Sequence, residues 1–126
     1  MNQKKANYSI LLYRLLPLIL IGLGALLRFA CLGVVPGGIH QDESFSVLNA
    51  LGLLHEGTDT AGRVMPVYLS DWGDGQSALY SWLLIPLFAL NGGSFNLFLA
   101  RLPQAAVSVF TLWSVYWLIK RMFGKN

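Results

Sequence analysis

Two long apolar segments dominate the hydrophobic pattern of the chain. The first runs from Ile10 to about Val35 and is interrupted only by two arginines. The second runs from Leu102 to Ile119 without a charged residue and carries Pro103 at a plausible first-turn position. About 20 apolar residues suffice for a helix to cross the hydrocarbon core of a bilayer. The pattern therefore predicts transmembrane helices over residues 10–35 and 102–119.

The region between these spans does not have the pattern of a plain hydrophilic loop. Five apolar residues, Phe45, Val47, Leu48, Leu51 and Leu54, lie largely on one face of a helix that starts near an acid and stops at Gly57. A second uncharged run carries Tyr80 and Trp82 near its start. We expect interfacial helices over residues 43–56 and 77–90, because amphipathic helices and aromatic side chains favour the membrane–water boundary. Residues 57–75 hold four glycines and Pro66 and predict a turn-rich connector.

Two alternatives compete with this assignment of the spans. Ala78–Leu90 is uncharged as well and competes for the second crossing, but only the later segment has full spanning length. With two crossings, six Lys/Arg residues (4, 5, 14, 120, 121 and 125) lie on one side and only Arg63 and Arg101 on the other, setting Arg28 aside. The positive-inside rule then predicts cytoplasmic termini and an extracytoplasmic excursion over residues 36–100. A cleaved signal peptide is the alternative for the first segment, disfavoured by the length of that segment and by Arg28.

Composition supports a membrane protein. The chain has 126 residues, of which 55% are hydrophobic and 12% charged, against about 25% charged in soluble domains. A single cysteine excludes a disulfide framework. The net charge of +3 comes from dispersed basic residues rather than a continuous stripe, so we expect no nucleic-acid partner. The predicted fold class is all-α integral membrane, with two transmembrane helices flanking two interfacial helices.

The first predicted span is followed by the segment that carries the candidate chemistry. Asp42 and Glu43 follow a Pro-Gly-Gly turn and stand where a helix begins. An N-cap and a first-turn carboxylate would explain them without any function. Adjacent helical residues point about 100° apart, so at most one of the two could touch reacting atoms. His40 offers a further polar side chain, although the two histidines lack the spacing of a metal-binding helix.

An ordered set of short motifs resembles the N-terminal part of a known enzyme family. The motifs are Leu27-Arg28-Phe29, Leu32-Gly33, Pro36-x-Gly38, Asp42-Glu43, Gly57-x-Asp59-x-x-Gly62, Pro66-Val67-Tyr68, Trp72-Gly73-x-Gly75-Gln76-Ser77-Ala78-Leu79-Tyr80 and Arg101-Leu102-Pro103. In this order they resemble polyprenyl-phosphate-dependent membrane glycosyltransferases of the GT-C superfamily, namely the protein O-mannosyltransferase and aminoarabinose-transferase group.

The resemblance implies a function and a set of site residues. A sugar would move, with inversion, from a polyprenyl-phosphate donor to an acceptor hydroxyl at the outer membrane face. Asp42 falls on the family's catalytic position and Glu43 would support it. His40, Gln76 and Arg101 are candidate substrate contacts, and Arg101 could instead anchor to headgroups. No cofactor is certain and a divalent metal stays open. The acceptor, whether protein, lipid or polymer, is not specified.

The chain departs from that family in its number of spans. Full members have roughly eight to thirteen, whereas two are predicted here, so we expect this chain to act with the missing C-terminal spans of the same enzyme and to be inactive alone. Membrane lipids are the other expected partners, and a bacterial cell membrane is the expected location. The alternative is a small non-catalytic two-span protein that binds lipid-linked sugar or assists assembly of a partner. A plain two-span structural peptide is the third possibility.

Overall fold

The protein is mostly helical, with one small β-hairpin. The computed structural model describes residues 3–71 and 74–124, with the side chains of residues 3–14, 71 and 74 excluded. Its elements are α1 (Gln3–Phe29), α2 (Gln41–His55), β1 (Tyr68–Asp71), β2 (Asp74–Ser77), α3 (Leu79–Leu90) and α4 (Leu97–Phe123). Trp72 and Gly73 of the longest motif, the side chains of Lys4, Lys5 and Arg14, and Lys125 therefore lie outside the described residues. The chain forms two compact units, Met1–Cys31 with Gln104–Asn126 and Leu32–Pro103.

The first unit contains α1 and most of α4. Within the described part of the chain, α4 is the one helix that is long and apolar enough to cross a membrane. In α1 the apolar stretch with described side chains is the shorter Leu15–Phe29. The helix ends at Phe29 instead of continuing to about residue 35 as predicted, and turns follow. Gly33 and Pro36 lie in the segment that was predicted to be helical or at its end, and neither favours a helix there.

The hairpin corrects the all-α prediction and the expected irregular connector. β1 and β2 pair antiparallel with Tyr68 opposite Ser77 and Leu69 opposite Gln76. A side chain at Gly75 would meet the Tyr68 ring, since a Cβ built there lies 2.3 Å from the ring Cζ. Leu69 is fully buried and anchors the hairpin in the second unit. Strands of four residues carry too little hydrophobic alternation to be recognised in a glycine-rich stretch.

Helix α2 buries part of the predicted apolar face, with Val47 in the core and Leu51 and Leu54 packed against it, together with residues that the apolar pattern did not include. Its buried residues are Ser46, Val47, Asn49, Ala50 and Leu53. Leu48, which the pattern placed on the apolar face, is 57% exposed. The two polar residues are accommodated because they are hydrogen-bonded: Ser46 contacts Gln76 and Ser81, and Asn49 accepts from Thr60.

The core of the second unit joins α2, α3 and the start of α4. Val47 and Ala50 of α2 pack with Leu84 and Phe88 of α3 and with Ala100. The small residues allow close approach of the helices, and the aromatic ring fills the space between them. This core fixes the start of α4 beside α2.

Of α3 and α4, only α4 has the length to be a candidate for crossing a membrane. The 12 residues of α3 span about 18 Å, which is too short for a bilayer. Asn96 caps α4, because its Oδ1 accepts from the backbone N–H of Phe98 and Leu99. The helix therefore starts at Leu97 rather than at residue 102, and Pro103 lies inside it instead of in the first turn.

Candidate active site at the start of α2

The first turn of α2 is closed by a histidine rather than by the predicted acid. His40 is the N-cap, and its Nδ1 accepts a hydrogen bond from the backbone N–H of Asp42 at 3.3 Å. The backbone N–H of His40 donates to Glu43 Oε2 at 3.4 Å, which completes a capping box. Asp42 and Glu43 are thus second and third in the helix, where the helix dipole favours negative charge.

Arg101 anchors this turn from the first part of α4. Its side chain is 7% exposed and forms an ion pair with Glu43, with Nε 2.8 Å from Oε1 and Nη2 3.2 Å from Oε2. The parallel contacts give the bidentate geometry for which a guanidinium is suited. The pair joins two residues that are 58 positions apart in sequence.

The remaining guanidinium hydrogens hold the turn that precedes α2. Nη1 donates to the carbonyls of Leu32 and Pro36 at 3.2 and 3.1 Å, and Nη2 donates to that of Gly38 at 2.6 Å. An arginine has five N–H donors, and each has a partner here. Gly38 has φ +84°, a conformation that glycine adopts without steric cost. Arg101 thereby fixes the path of the chain from Leu32 to Glu43.

The two adjacent carboxylates have different environments. The Glu43 side chain is 12% exposed and neutralised by Arg101. The Asp42 side chain is 73% exposed, and its Oδ2 lies 3.5 Å from Nδ1 of His40. That nitrogen can either accept from the Asp42 backbone or, when protonated, donate to the Asp42 carboxylate, so the tautomer of His40 selects between the two contacts. Asp42 is the carboxylate that an external molecule can reach.

Tyr80 lies beside the Glu43–Arg101 pair and ties α3 to α4. Its hydroxyl donates to the carbonyl of Ala100. Burial raises the pKa of the Tyr80 phenol, the Glu43 carboxylate raises it further, and the Arg101 guanidinium opposes the shift. The phenol therefore stays protonated at neutral pH and serves as a hydrogen-bond donor.

Gln76 reaches the candidate site only through Ser46. Its Nε2 donates to Ser46 Oγ at 3.1 Å, and Ser46 Oγ donates to the backbone carbonyl of Asp42 at 2.9 Å. Ser81 Oγ in turn donates to the carbonyl of Ser46. Ser46 thus connects the hairpin and α3 to the turn that carries Asp42. Ser46 is not among the residues predicted from the sequence, although a serine between apolar residues of a helix is a signal that could have indicated it.

A second charged pair lies in the loop between α2 and β1. The buried carboxylate of Asp59 accepts from the backbone N–H groups of Ala61 and Arg63 and from Nε of Arg63 at 2.8 Å. Burial alone would raise the pKa of Asp59, but the hydrogen bonds from Arg63 and Ala61 and the Arg63 charge outweigh it and hold the pKa below its usual range. Because Asp59 is enclosed by its own loop, its role is to shape that loop.

Among the side chains that the structure describes, which exclude those of Asp71 and Asp74, no three His, Cys, Asp or Glu cluster as metal ligands would. The structure brings four of the five candidate residues together, since Arg101 of α4 contacts the turn that holds His40, Asp42 and Glu43. Gln76 is connected to that turn through Ser46. Comparison with protein-family models, with curated proteins and with solved structures finds no match for this chain.

Proposed function

We propose that this chain is the N-terminal, acid-bearing module of an inverting membrane glycosyltransferase. The enzyme would move a sugar from a polyprenyl-phosphate donor to an acceptor hydroxyl at the outer membrane face. The observation that carries the proposal is the contrast between the exposed Asp42 carboxylate and the buried Glu43 carboxylate beside it. Glu43 stabilises the turn through its ion pair, and Asp42 is exposed to solvent on the same turn.

The proposed chemistry needs an ionised carboxylate that is held in place. Asp42 would accept a hydrogen bond from the acceptor hydroxyl and take its proton as the oxygen bonds to the anomeric carbon. The bond between that carbon and the phosphate oxygen breaks on the opposite face, and the polyprenyl phosphate leaves with the electron pair. The start of α2 suits this role, since the helix dipole favours the charged carboxylate.

Arg101 and Glu43 enter the proposal as positioning residues. All five donors of Arg101 hold either Glu43 or the carbonyls of the turn. A donor phosphate would have to displace these contacts to bind the guanidinium. We therefore propose that contacts to the donor phosphate come from other parts of the enzyme. Arg101 would position Asp42 by holding the turn that carries it.

The proposed topology places the module in a cell membrane, by expectation bacterial, with both termini cytoplasmic. In this arrangement α1 and α4 both cross and the second unit faces outward. The first crossing rests on the apolar character of Leu15–Phe29 together with the length of α1. We propose that further spans of the same enzyme enclose the lipid donor and that the 126-residue chain alone transfers no sugar.

The test is Asp42→Asn in the natural protein, assayed in membranes from its source cells with radiolabelled polyprenyl-phosphate sugars as donors. Loss of transfer by about a hundredfold or more is expected, the size of a general-base contribution. Glu56→Gln is the matched control, since it removes an exposed acid at the other end of α2. Wild-type transfer by the Asp42→Asn protein would overturn the proposal and favour a non-catalytic membrane role.

A further inference from the structure

Helix α3 is apolar on two opposite faces. Ser81, Leu84 and Phe88 are buried against the rest of the second unit. A stripe on the other side is exposed at helical spacing, and no charged residue interrupts the helix. The stripe consists of Leu79, Trp82, Leu83, Pro86 and Leu90. An uncharged stripe of this kind is atypical of a helix whose outer face meets water.

The loop before β1 extends the same exposed apolar surface. Val64 is 71%, Met65 73% and Val67 87% exposed. The loop is attached to α3, because Trp82 Nε1 donates to the carbonyl of Pro66 at 2.9 Å and the N–H of Ala78 donates to that of Val67 at 3.1 Å. The exposed apolar side chains of this loop therefore belong to a segment that is hydrogen-bonded to α3.

The backbone at the tip of this loop is strained. Met65 has φ +48°, in the left-handed region where residues other than glycine are uncommon. Such conformations persist when their surroundings determine them and are concentrated at functional sites. Here the residue in this conformation has a large apolar side chain that is 73% exposed. Such a side chain is suited to contact with an apolar partner such as lipid hydrocarbon.

We infer that residues 64–67 and the exposed stripe of α3 form a surface that inserts into the hydrocarbon edge of a lipid bilayer. The connection to α4 supports lipid as the occupant. The seven steps from Leu90 to Leu97 span at most about 25 Å, which keeps the stripe close to the start of the candidate spanning helix. Trp82 and the half-exposed Tyr68 have the amphipathic rings that favour this depth.

Polar groups lie at the base of the loop and limit the depth of insertion. Arg63 pairs with Asp59 and donates to Ser70 Oγ at 3.2 Å, and its side chain is 39% exposed. This places a basic group next to the apolar tip, where it can approach phosphate headgroups. The inference requires that α4 crosses the membrane and does not depend on glycosyl transfer.

The experiment uses the full chain with Cys31→Ser, in lipid nanodiscs, with a polarity-sensitive fluorophore on one introduced cysteine. Val67→Cys and Leu83→Cys report on the surface, and the exposed positions Glu56→Cys and Ala61→Cys are matched controls in the same unit. We expect lipids with a nitroxide near the headgroup to quench the first pair and aqueous iodide to quench the second. Emission from the first pair should also be blue-shifted.

A second pair of variants separates insertion from mere burial. Adding Met65→Glu to the Val67→Cys protein should restore iodide quenching, whereas adding Ala61→Glu should not. Iodide quenching at Val67 and Leu83 equal to that at Glu56 would refute the inference. Protection of these two positions from both quenchers would refute it too, because a protein surface would then cover them.

Discussion

At the scale of single residues, the neighbouring acids of α2 show how burial assigns different roles to the same chemical group. Glu43 and Arg101 are mostly buried and bonded to each other, whereas Asp42 is exposed. The Asp-Glu motif and the candidate residues could be identified from sequence. Which of the two acids is buried and which is exposed could not be predicted, because this depends on an arginine 58 positions away. The local sequence pattern carries no information about such a contact.

Replacement of Arg101 should therefore damage the fold more than the loss of one surface charge would. Arg101→Met leaves the Glu43 carboxylate buried without its partner and releases three carbonyls of the preceding turn. We expect a loss of about 3 kcal/mol in the free energy of unfolding, measured by thermal or denaturant unfolding in detergent micelles. Arg28→Met is the control, because Arg28 is exposed and its guanidinium donates to the carbonyl of Gly24 in its own helix.

Combining Arg101→Met with Glu43→Leu removes both charges. The double variant should be more stable than Arg101→Met, since the uncompensated buried carboxylate is gone. If Arg101→Met were as stable as the wild type, the buried pair would not be what holds the turn.

Asp59 should make the stability of the protein pH-dependent at the acid end. Its pKa is held low in the folded state, so its contribution is full above the unfolded pKa of about 3.9 and disappears as the pH falls through the folded pKa. The thermal midpoint of the wild type should drop more than that of Asp59→Asn between about pH 6 and pH 3. Equal drops would contradict this role.

At the scale of elements, the apolar pattern predicted the helices well but did not predict which polar residues are buried or cap a helix. The helices α2, α3 and α4 were expected within a few residues of their observed bounds, because apolar runs, aromatic residues and breakers mark them. The buried face of α2 was predicted only in part, since hydrophobicity alone does not indicate that Ser46 and Asn49 are buried and hydrogen-bonded to Gln76 and Thr60. The predicted N-cap of α2 was wrong as well, because aspartate is a more frequent N-cap than histidine and was therefore expected at that position.

Close packing at Gly52 provides a test at this scale. A Cβ placed on Gly52 would lie 2.9 Å from the carbonyl oxygen of Thr58, a backbone atom that cannot move alone. Gly52→Ala should therefore lower the free energy of unfolding by about 1–3 kcal/mol, although alanine favours helices. Gly37→Ala is the control, because a Cβ at Gly37 meets nothing within 4 Å. Circular dichroism melts of the two variants make the comparison, and equal stability would contradict the packing argument.

At the scale of the whole molecule, one unit contains most of the candidate spanning helix, and the other contains the start of that helix and the candidate site. The sequence indicated membrane association, because long apolar runs need no tertiary information to be recognised. The hairpin was missed, since its short strands owe their stability to Leu69 in the core and to the bond between Gln76 and Ser46. Those contacts join segments that are distant in sequence.

The proposed topology has Asp42 at the outer face of a membrane that both long helices cross. It is tested by cysteine labelling of intact cells on a Cys31→Ser background, with single cysteines at Gln41, Ser94 and Met122 and a membrane-impermeant maleimide. These positions are exposed and lie next to Asp42, between α3 and α4, and near the end of α4. We expect labelling at Gln41 and Ser94, with Met122 labelled only after permeabilisation. Labelling of Met122 in intact cells, or protection of Gln41 until the cells are permeabilised, would contradict it.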